Sequence, residues 1–132
     1  MKAFEIMHKP VLATTPRASV RDIAAQLVVN GISGMPVTER GGAVLGVITE
    51  ADILEALREG KKLEKLTAED IMTAEPVTVD TATPVEKVIQ MLSEEGIVRM
   101  PVTEKGKLVG IISRGDVIKA VLEPEFMTFG AG

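Results

Sequence analysis

The chain has 132 residues, a formal net charge of −4, no cysteine, and only three aromatic side chains of the Phe, Trp and Tyr class, all of them Phe. This composition excludes a disulfide framework and a thiolate metal site. It also argues against nucleic acid as a partner, because counterion release and base stacking need basic and aromatic side chains. No apolar run reaches the roughly 18 residues of a membrane span, and no signal-peptide stretch opens the chain, so we expect a soluble cytoplasmic protein without a membrane partner.

Each half of the chain is predicted to open with a short strand, at residues 10–13 and 76–79, and to continue with a helix. The second of these helices is expected to have Thr83 as its N-cap and Pro84 at its first position. Gly31 and Gly96 follow the two helices, where a left-handed C-terminal cap is needed. The apolar stripes of the two helices follow helical spacing: Val20, Ile23, Ala24, Leu27 and Val85, Val88, Ile89, Leu92.

A β-hairpin and a second helix are predicted to follow in each half. The hairpins turn at residues 40–42 and 105–107, which are rich in glycine. The second helices begin after Thr49 and Ser113. The order strand, helix, strand, strand, helix therefore occurs twice, which indicates an α/β (α+β) fold with two three-stranded sheets packed together.

The two halves are copies of one another. Met35–Glu39 recurs unchanged at Met100–Glu104, and Gly46–Asp52 recurs with substitutions at Gly110–Asp116. Such a repeat predicts two similar units about a pseudo-twofold axis, with any site at their junction present twice.

We expect repeat 1 to span residues 1–62 and repeat 2 to span residues 63–132. The last residues, 124–132, are expected to form a short frayed tail. A unit of about 55 residues with one small sheet is marginally stable alone, so each repeat is expected to bury its open face against the other.

A hydroxyl residue followed three positions later by Asp occurs at four predicted helix starts: Ser19–Asp22, Thr49–Asp52, Thr67–Asp70 and Ser113–Asp116. This spacing is typical of a capping box, which stabilises a helix start by roughly 1 kcal/mol. Ser19–Asp22 and Thr67–Asp70 are interpreted as purely structural, so capping alone is also a full alternative to a binding role for Thr49–Asp52 and Ser113–Asp116.

The context of Thr49–Asp52 and Ser113–Asp116 is more specific, because both follow a Gly-aliphatic-aliphatic strand and a copy of Met-Pro-Val-Thr-Glu. Together these features resemble the CBS domain, which occurs in tandem pairs (Bateman modules), over residues 5–58 and 70–123. The resemblance implies two clefts that hold AMP, ADP, ATP, S-adenosylmethionine or a related adenosyl ligand, with or without Mg²⁺. The two Asp carboxylates would hold the ribose hydroxyls, and the helix N-termini would face the phosphates.

The resemblance also implies which residues line each cleft. The first cleft would use Ile111, Ser113, Arg114 and Asp116, facing Lys9, Pro10, Val11, Ile32, Ser33 and Gly34. The second cleft would use Val47, Thr49 and Asp52, facing Glu75, Pro76, Val77, Ile97, Val98 and Arg99.

Charge distinguishes the two clefts. The first gathers His8, Lys9 and Arg114, whereas the second combines Arg99 with two acidic residues, Glu50 and Glu75. We therefore expect the first cleft to prefer the more highly phosphorylated nucleotide. His8, the only histidine, is either a phosphate contact or an ordinary surface residue.

Three functions compete at this stage. The favoured one is a stand-alone regulatory module that binds an adenosyl ligand, forms a homodimer and signals to an effector protein in trans. An enzyme is disfavoured, because the chain has no cysteine nucleophile, HExxH motif or P-loop. The third is a dimerisation scaffold whose clefts hold no ligand.

Overall fold

The computed structural model describes the backbone of residues 1–131 and the side chains of residues 1–123. Its helices are α1 (Ala3–Ile6), α2 (Val20–Asn30), α3 (Glu50–Arg58), α4 (Ala68–Ile71), α5 (Val85–Glu94) and α6 (Arg114–Ala131). Its strands are β1 (Gly34–Thr38), β2 (Val44–Thr49), β3 (Thr73–Ala74), β4 (Val79–Asp80), β5 (Arg99–Glu104) and β6 (Lys107–Ser113). The mixed α+β class with two three-stranded sheets is confirmed.

The chain divides into two compact units, each of which takes its opening segment from the other repeat. Unit A consists of residues 1–11, 77–105 and 109 onward, and unit B consists of residues 12–76 and 106–108. The first eleven residues, the opening segment of repeat 1, therefore pack with repeat 2. Residues 63–76, the opening segment of repeat 2, pack with repeat 1 and are called the connector below.

Unit B contains the sheet β1-β2-β3. β1 and β2 form the predicted hairpin, in which Gly34 lies opposite Thr49. β3 comes from the connector and pairs antiparallel with β2, through Thr73 opposite Val47. The core of this unit lies between its helices and the hairpin and is aliphatic: Val20, Ile23, Leu27, Met35, Val37, Ile48, Ile53 and Ala68.

Unit A contains the sheet β4-β5-β6, with β4 parallel to β5. The opening segment lies along β6, where His8 forms an antiparallel bridge with Ile111. The core is again aliphatic: Ala3, Val79, Val88, Leu92, Met100, Val102, Ile112 and Val117.

The methionine of each opening segment crosses a glycine of the neighbouring strand. A β-carbon added at Gly46 would lie 2.7 Å from Sδ of Met72 and 2.7 Å from the carbonyl oxygen of Thr73. A β-carbon at Gly110 would likewise collide with the side chain of Met7. At Gly46 the incoming backbone itself comes too close for any side chain, whereas at Gly110 the colliding atoms all belong to the methionine side chain.

Several local predictions are corrected by the structure. No regular strand forms at residues 10–13, and only Thr14 pairs, with Val37, in a parallel bridge. Proline at position 10 has no N–H to donate to a ladder. In the second copy the strand is short and begins at Val79 rather than at residue 76.

Two side chains of the second copy also differ from the sequence expectation. Helix α5 has Pro84 as its N-cap, because the hydroxyl of Thr83 instead accepts a bond from the N–H of Asp80, at 3.2 Å. Ile89, placed in the buried stripe, is exposed.

The glycine caps are confirmed, since Gly31 has φ 62° at the end of α2 and Gly96 has φ 62° just after α5. Both second helices begin directly after their predicted hydroxyl residues. Helix α6 runs to Ala131, so the backbone of the predicted frayed tail continues the last helix. The side chains of residues 124–131 and all of residue 132 lie outside the described residues.

Candidate functional site

In unit A, the start of α6 carries a buried carboxylate. The N–H of Ser113 donates to Oδ2 of Asp116 at 2.8 Å, and the N–H of Asp116 donates to Oγ of Ser113 at 3.2 Å. These reciprocal bonds form a capping box, so the structural role proposed for this spacing is real. We call this helix start, with Ile111 on the preceding strand, site A.

In unit B, the start of α3 repeats the arrangement. The N–H and the hydroxyl of Thr49 donate to Oδ2 of Asp52 at 2.9 and 3.0 Å, and the N–H of Asp52 donates back to Oγ1 at 3.3 Å. We call this helix start, with Val47 on the preceding strand, site B. In both sites the cap uses only one carboxylate oxygen, which leaves Oδ1 for another partner.

In each unit, a carbonyl of the loop before the hairpin accepts a hydrogen bond from the first amide of the second helix. In unit B the N–H of Glu50 donates to the carbonyl of Ser33 at 2.9 Å, and in unit A the N–H of Arg114 donates to the carbonyl of Val98 at 2.9 Å. Because the third amide is taken by the capping box, the second amide, that of Ala51 or Gly115, is the one left to face an anion. The helix starts are therefore poorer in free N–H groups than the sequence predicted.

The fate of Oδ1 differs between the sites. In site A, Nε2 of His8 lies against Oδ1 of Asp116. The Asp116 side chain is 7% exposed whereas the imidazole is 72% exposed, so the histidine covers the carboxylate from the solvent side. In site B, Oδ1 of Asp52 has no hydrogen-bond partner among the described side chains.

The other two helix starts with the same spacing show what capping alone looks like. Thr67 and Asp70 form a similar box, with the N–H of Thr67 donating at 2.8 Å to an exposed carboxylate. These bonds from Thr67 hold the pKa of Asp70 below its ordinary value of 3.8. Ser19 makes no side-chain cap bond at α2.

Part of each predicted residue set is assembled within one unit. Unit A brings Lys9, Pro10 and Val11 into the same compact body as Asp116, and unit B brings Glu75 and Pro76 into the same body as Asp52. The remaining members belong to the other unit in each case, and their contact with the carboxylates stays a prediction: Ile32, Ser33, Gly34 for site A and Val77, Ile97, Val98, Arg99 for site B.

The cations predicted for the first cleft do not converge on one point. Nε of Arg114 donates to the carbonyl of Ile97 at 2.8 Å, and His8 lies on Asp116. Lys9 lines a surface depression of about 480 Å³ that Asp116 does not line. The charge argument for a polyphosphate at site A therefore keeps only one cation without a protein partner, Lys9.

His8 is the residue at site A whose role the sequence left undecided. Its position follows from the backbone, because its N–H donates to the carbonyl of Ile111 at 2.8 Å and its carbonyl accepts from Ile111 at 3.1 Å. His8 reaches Ile111 and Asp116 because the opening segments are exchanged between the repeats. Neither composition nor periodicity predicts this exchange.

Two absences concern the part of the chain that the structure describes. Among these residues, no three His, Asp or Glu side chains are placed to hold a metal ion. None of the described helices combines the length and the apolar character needed to cross a bilayer.

Comparison with known proteins agrees with this architecture. The CBS domain family model matches residues 3–59 and 68–123. An uncharacterized protein of Methanopyrus kandleri, MK0525, is 26% identical over 95% of this chain and 68% of its own length. The L-aspartate semialdehyde sulfurtransferase of Methanocaldococcus jannaschii is 31% identical over 86% of this chain, which spans only 22% of that enzyme.

Two solved structures are similar over nearly the whole chain. The CBS domain pair of protein MJ0100, in complex with 5′-methylthioadenosine and S-adenosyl-L-methionine, has a TM-score of 0.83 and 28% identity, covering 94% of this chain and 98% of that one. CBSX2 in complex with AMP has a TM-score of 0.84 and 29% identity, with the same coverage. With its family model matched twice, this chain belongs to the CBS-domain family and carries a tandem pair of CBS domains.

Proposed function

We propose that this chain is a regulatory module that binds an adenosine-containing ligand, with Asp52 and Asp116 contacting the ribose. The observation that carries the proposal is Oδ1 of Asp52, which makes no hydrogen bond to any side chain of residues 1–123 while Oδ2 completes the helix cap. A carboxylate held rigid through one oxygen presents the other in a fixed direction, which suits a ribose hydroxyl as donor. The complexes of MJ0100 and CBSX2 support adenosyl chemistry for the ligand.

The ligand class is AMP, ADP, ATP or S-adenosylmethionine. The 5′ group would meet the positive end of the helix dipole and the second amide of α3 or α6. No metal-binding cluster is present among residues 1–123, so Mg²⁺ would arrive with the phosphates of ADP or ATP rather than on protein ligands. The other residues predicted for the two clefts remain proposed contacts.

A regulatory output requires more than binding. A ligand shifts a conformational equilibrium only if it binds one state better than another. We propose that this difference is passed to an effector protein in trans in the cytoplasm, and that the module itself is not catalytic.

A homodimer is the proposed assembly. Leu54 and Leu57 on α3 are 64% and 50% exposed, and the equivalent Ile118 and Val121 on α6 are 58% and 61% exposed. Apolar side chains exposed at matching positions of two equivalent helices are typical of a surface covered by a second chain. This surface is also the observation that favours the alternative function, a dimerisation scaffold without ligand.

A thermal-shift panel separates the two functions, because a ligand that binds only the folded protein raises its melting temperature. We expect AMP at 100 times its Kd to stabilise the protein by about 2.7 kcal/mol. The nucleotide 2′-deoxy-AMP should stabilise it less, since it lacks one of the two hydroxyls offered to the carboxylate. Equal shifts with AMP and 2′-deoxy-AMP would contradict the ribose contact, and no shift with any adenosyl compound at millimolar concentration would favour the scaffold.

A further inference from the structure

The two opening segments place different residues at one equivalent position. His8 pairs with Ile111 beside site A, and Thr73 pairs with Val47 beside site B. Ile111 and Val47 are themselves equivalent, since each follows the strand glycine and precedes the hydroxyl residue of the cap by two positions. His8 and Thr73 therefore enter their sites from the same direction at the same register.

The difference in side-chain length decides what reaches the carboxylate. The imidazole of His8 extends over β6 and occupies Oδ1 of Asp116. The side chain of Thr73 is shorter, and within the described side chains its hydroxyl makes no bond to Asp52. The oxygen proposed to bind the ribose is thus covered by the protein in site A and uncovered in site B.

We infer that His8 is a specificity-determining residue that competes with the ligand for Asp116, so that an adenosine-containing ligand fills site B before site A. The inference rests on the proposed function, because it assumes that the Asp carboxylates contact the ribose. An imidazole N–H and a ribose hydroxyl would both donate to Oδ1 of Asp116. Because the helix cap fixes the carboxylate through Oδ2, the two donors would have to occupy the same place, and only one can bind at a time. A ligand enters site A only when the imidazole swings away.

The size of the effect follows from the exposure of the contact. The imidazole is 72% exposed, so it can rotate into solvent without unfolding anything. Contacts of this kind between an exposed side-chain donor and a carboxylate correspond to about two- to fivefold in an equilibrium constant. Because the carboxylate itself is only 7% exposed, we expect the upper part of that range.

Titration calorimetry measures the affinity of the full chain for AMP, and removing one Asp at a time allows each site to be measured alone. Asp52→Ala leaves site A to be measured, and adding His8→Thr should tighten AMP binding about three- to fivefold. Asp116→Ala leaves site B, and adding Thr73→His should weaken binding by a similar factor. Unchanged or weaker binding on His8→Thr would overturn the inference.

The only histidine of the chain provides a second measurement that needs no substitution. During an AMP titration of the wild-type protein, the imidazole proton signals should complete less than half of their total shift in the first equivalent and the larger part in the second. A shift that is complete with the first equivalent would overturn the order of filling. If AMP, ADP, ATP and S-adenosylmethionine all fail to bind the wild-type protein and every variant, the proposed function fails as a whole, whereas AMP binding that is indifferent to positions 8 and 73 rejects this inference alone.

Discussion

Replacing Gly46 by Ala tests the packing that brings the connector against site B. The added β-carbon would lie 2.7 Å from Sδ of Met72 and 2.7 Å from the carbonyl of Thr73. The sulfur can rotate away, but the carbonyl belongs to the backbone of β3, which pairs with β2 at Thr73 and Ala74. The connector must therefore shift as a unit, and the ladder that places Thr73 beside Val47 is strained.

The expected cost combines two opposing effects. Overpacking of a filled site costs about 1–3 kcal/mol, and the loss of glycine's freedom in the unfolded chain returns about 0.4–1 kcal/mol. A net loss of about 1–2 kcal/mol corresponds to a decrease of about 4–7 °C in melting temperature for a domain of this size. Calorimetric or circular-dichroism melting measures this directly.

Two further variants make the test specific. Met72→Ala removes the sulfur contact but also packing against the core, so the loss in the Gly46→Ala/Met72→Ala protein should be smaller than the sum of the two single losses, because the two positions touch. Gly115→Ala is the opposite case: its nearest atom would be Oγ of Ser113 at 3.6 Å, and it lies in a helix. That variant should be neutral or stabilised by up to about 1 kcal/mol. A Gly46→Ala protein as stable as the wild type would refute the packing of the connector on β2.

Three further predictions concern stability and assembly. The hydrogen bonds from Thr67 lower the pKa of Asp70 in the folded protein. The carboxylate's contribution to folding stability is therefore complete above the unfolded-state pKa and is lost as the pH falls through the folded-state pKa. Asp70→Ala should therefore lower the urea midpoint at pH 7, and the two proteins should converge at the acid end of the titration; a constant difference across pH would contradict this. Gly31→Ala should lower the free energy of unfolding by about 1 kcal/mol in urea, because an L-residue is strained at φ 62°. An added β-carbon would meet no atom within 4 Å, so steric contact contributes nothing, and an unchanged urea midpoint would contradict the backbone strain. Leu57→Glu should convert a dimer to a monomer in light scattering, and a wild-type protein that is already monomeric would contradict the proposed assembly.

The elements that depend on local chemistry were predictable from the sequence. Helices α3 and α6 begin where Thr49 and Ser113 supply an N-cap hydroxyl, and α2 ends where Gly31 permits a left-handed residue. The hairpin turn at Lys105 and Gly106 likewise adopts positive φ, as a glycine-containing turn requires. Each of these signals lies within about four residues of the structure it determines.

The features that depend on distant parts of the chain were not predictable. Residues 10–13 have strand composition, yet the edge of the unit B sheet is formed by Thr73 and Ala74 from the connector. The contact of His8 with Asp116 depends on the same exchange, and so does the difference between the two sites. Periodicity reports which face of an element is buried, but not which distant segment covers it.

The carboxylate of Asp52 is proposed to bind a ribose in addition to capping a helix. Asp70 provides the matched control, because it makes the same cap bonds at α4 from an exposed position. Calorimetric titration of AMP into Asp52→Ala and Asp70→Ala, each compared with the wild type, separates the two roles. We expect Asp52→Ala to lose the tighter binding event and Asp70→Ala to retain it; wild-type affinity in both variants would exclude the ribose contact.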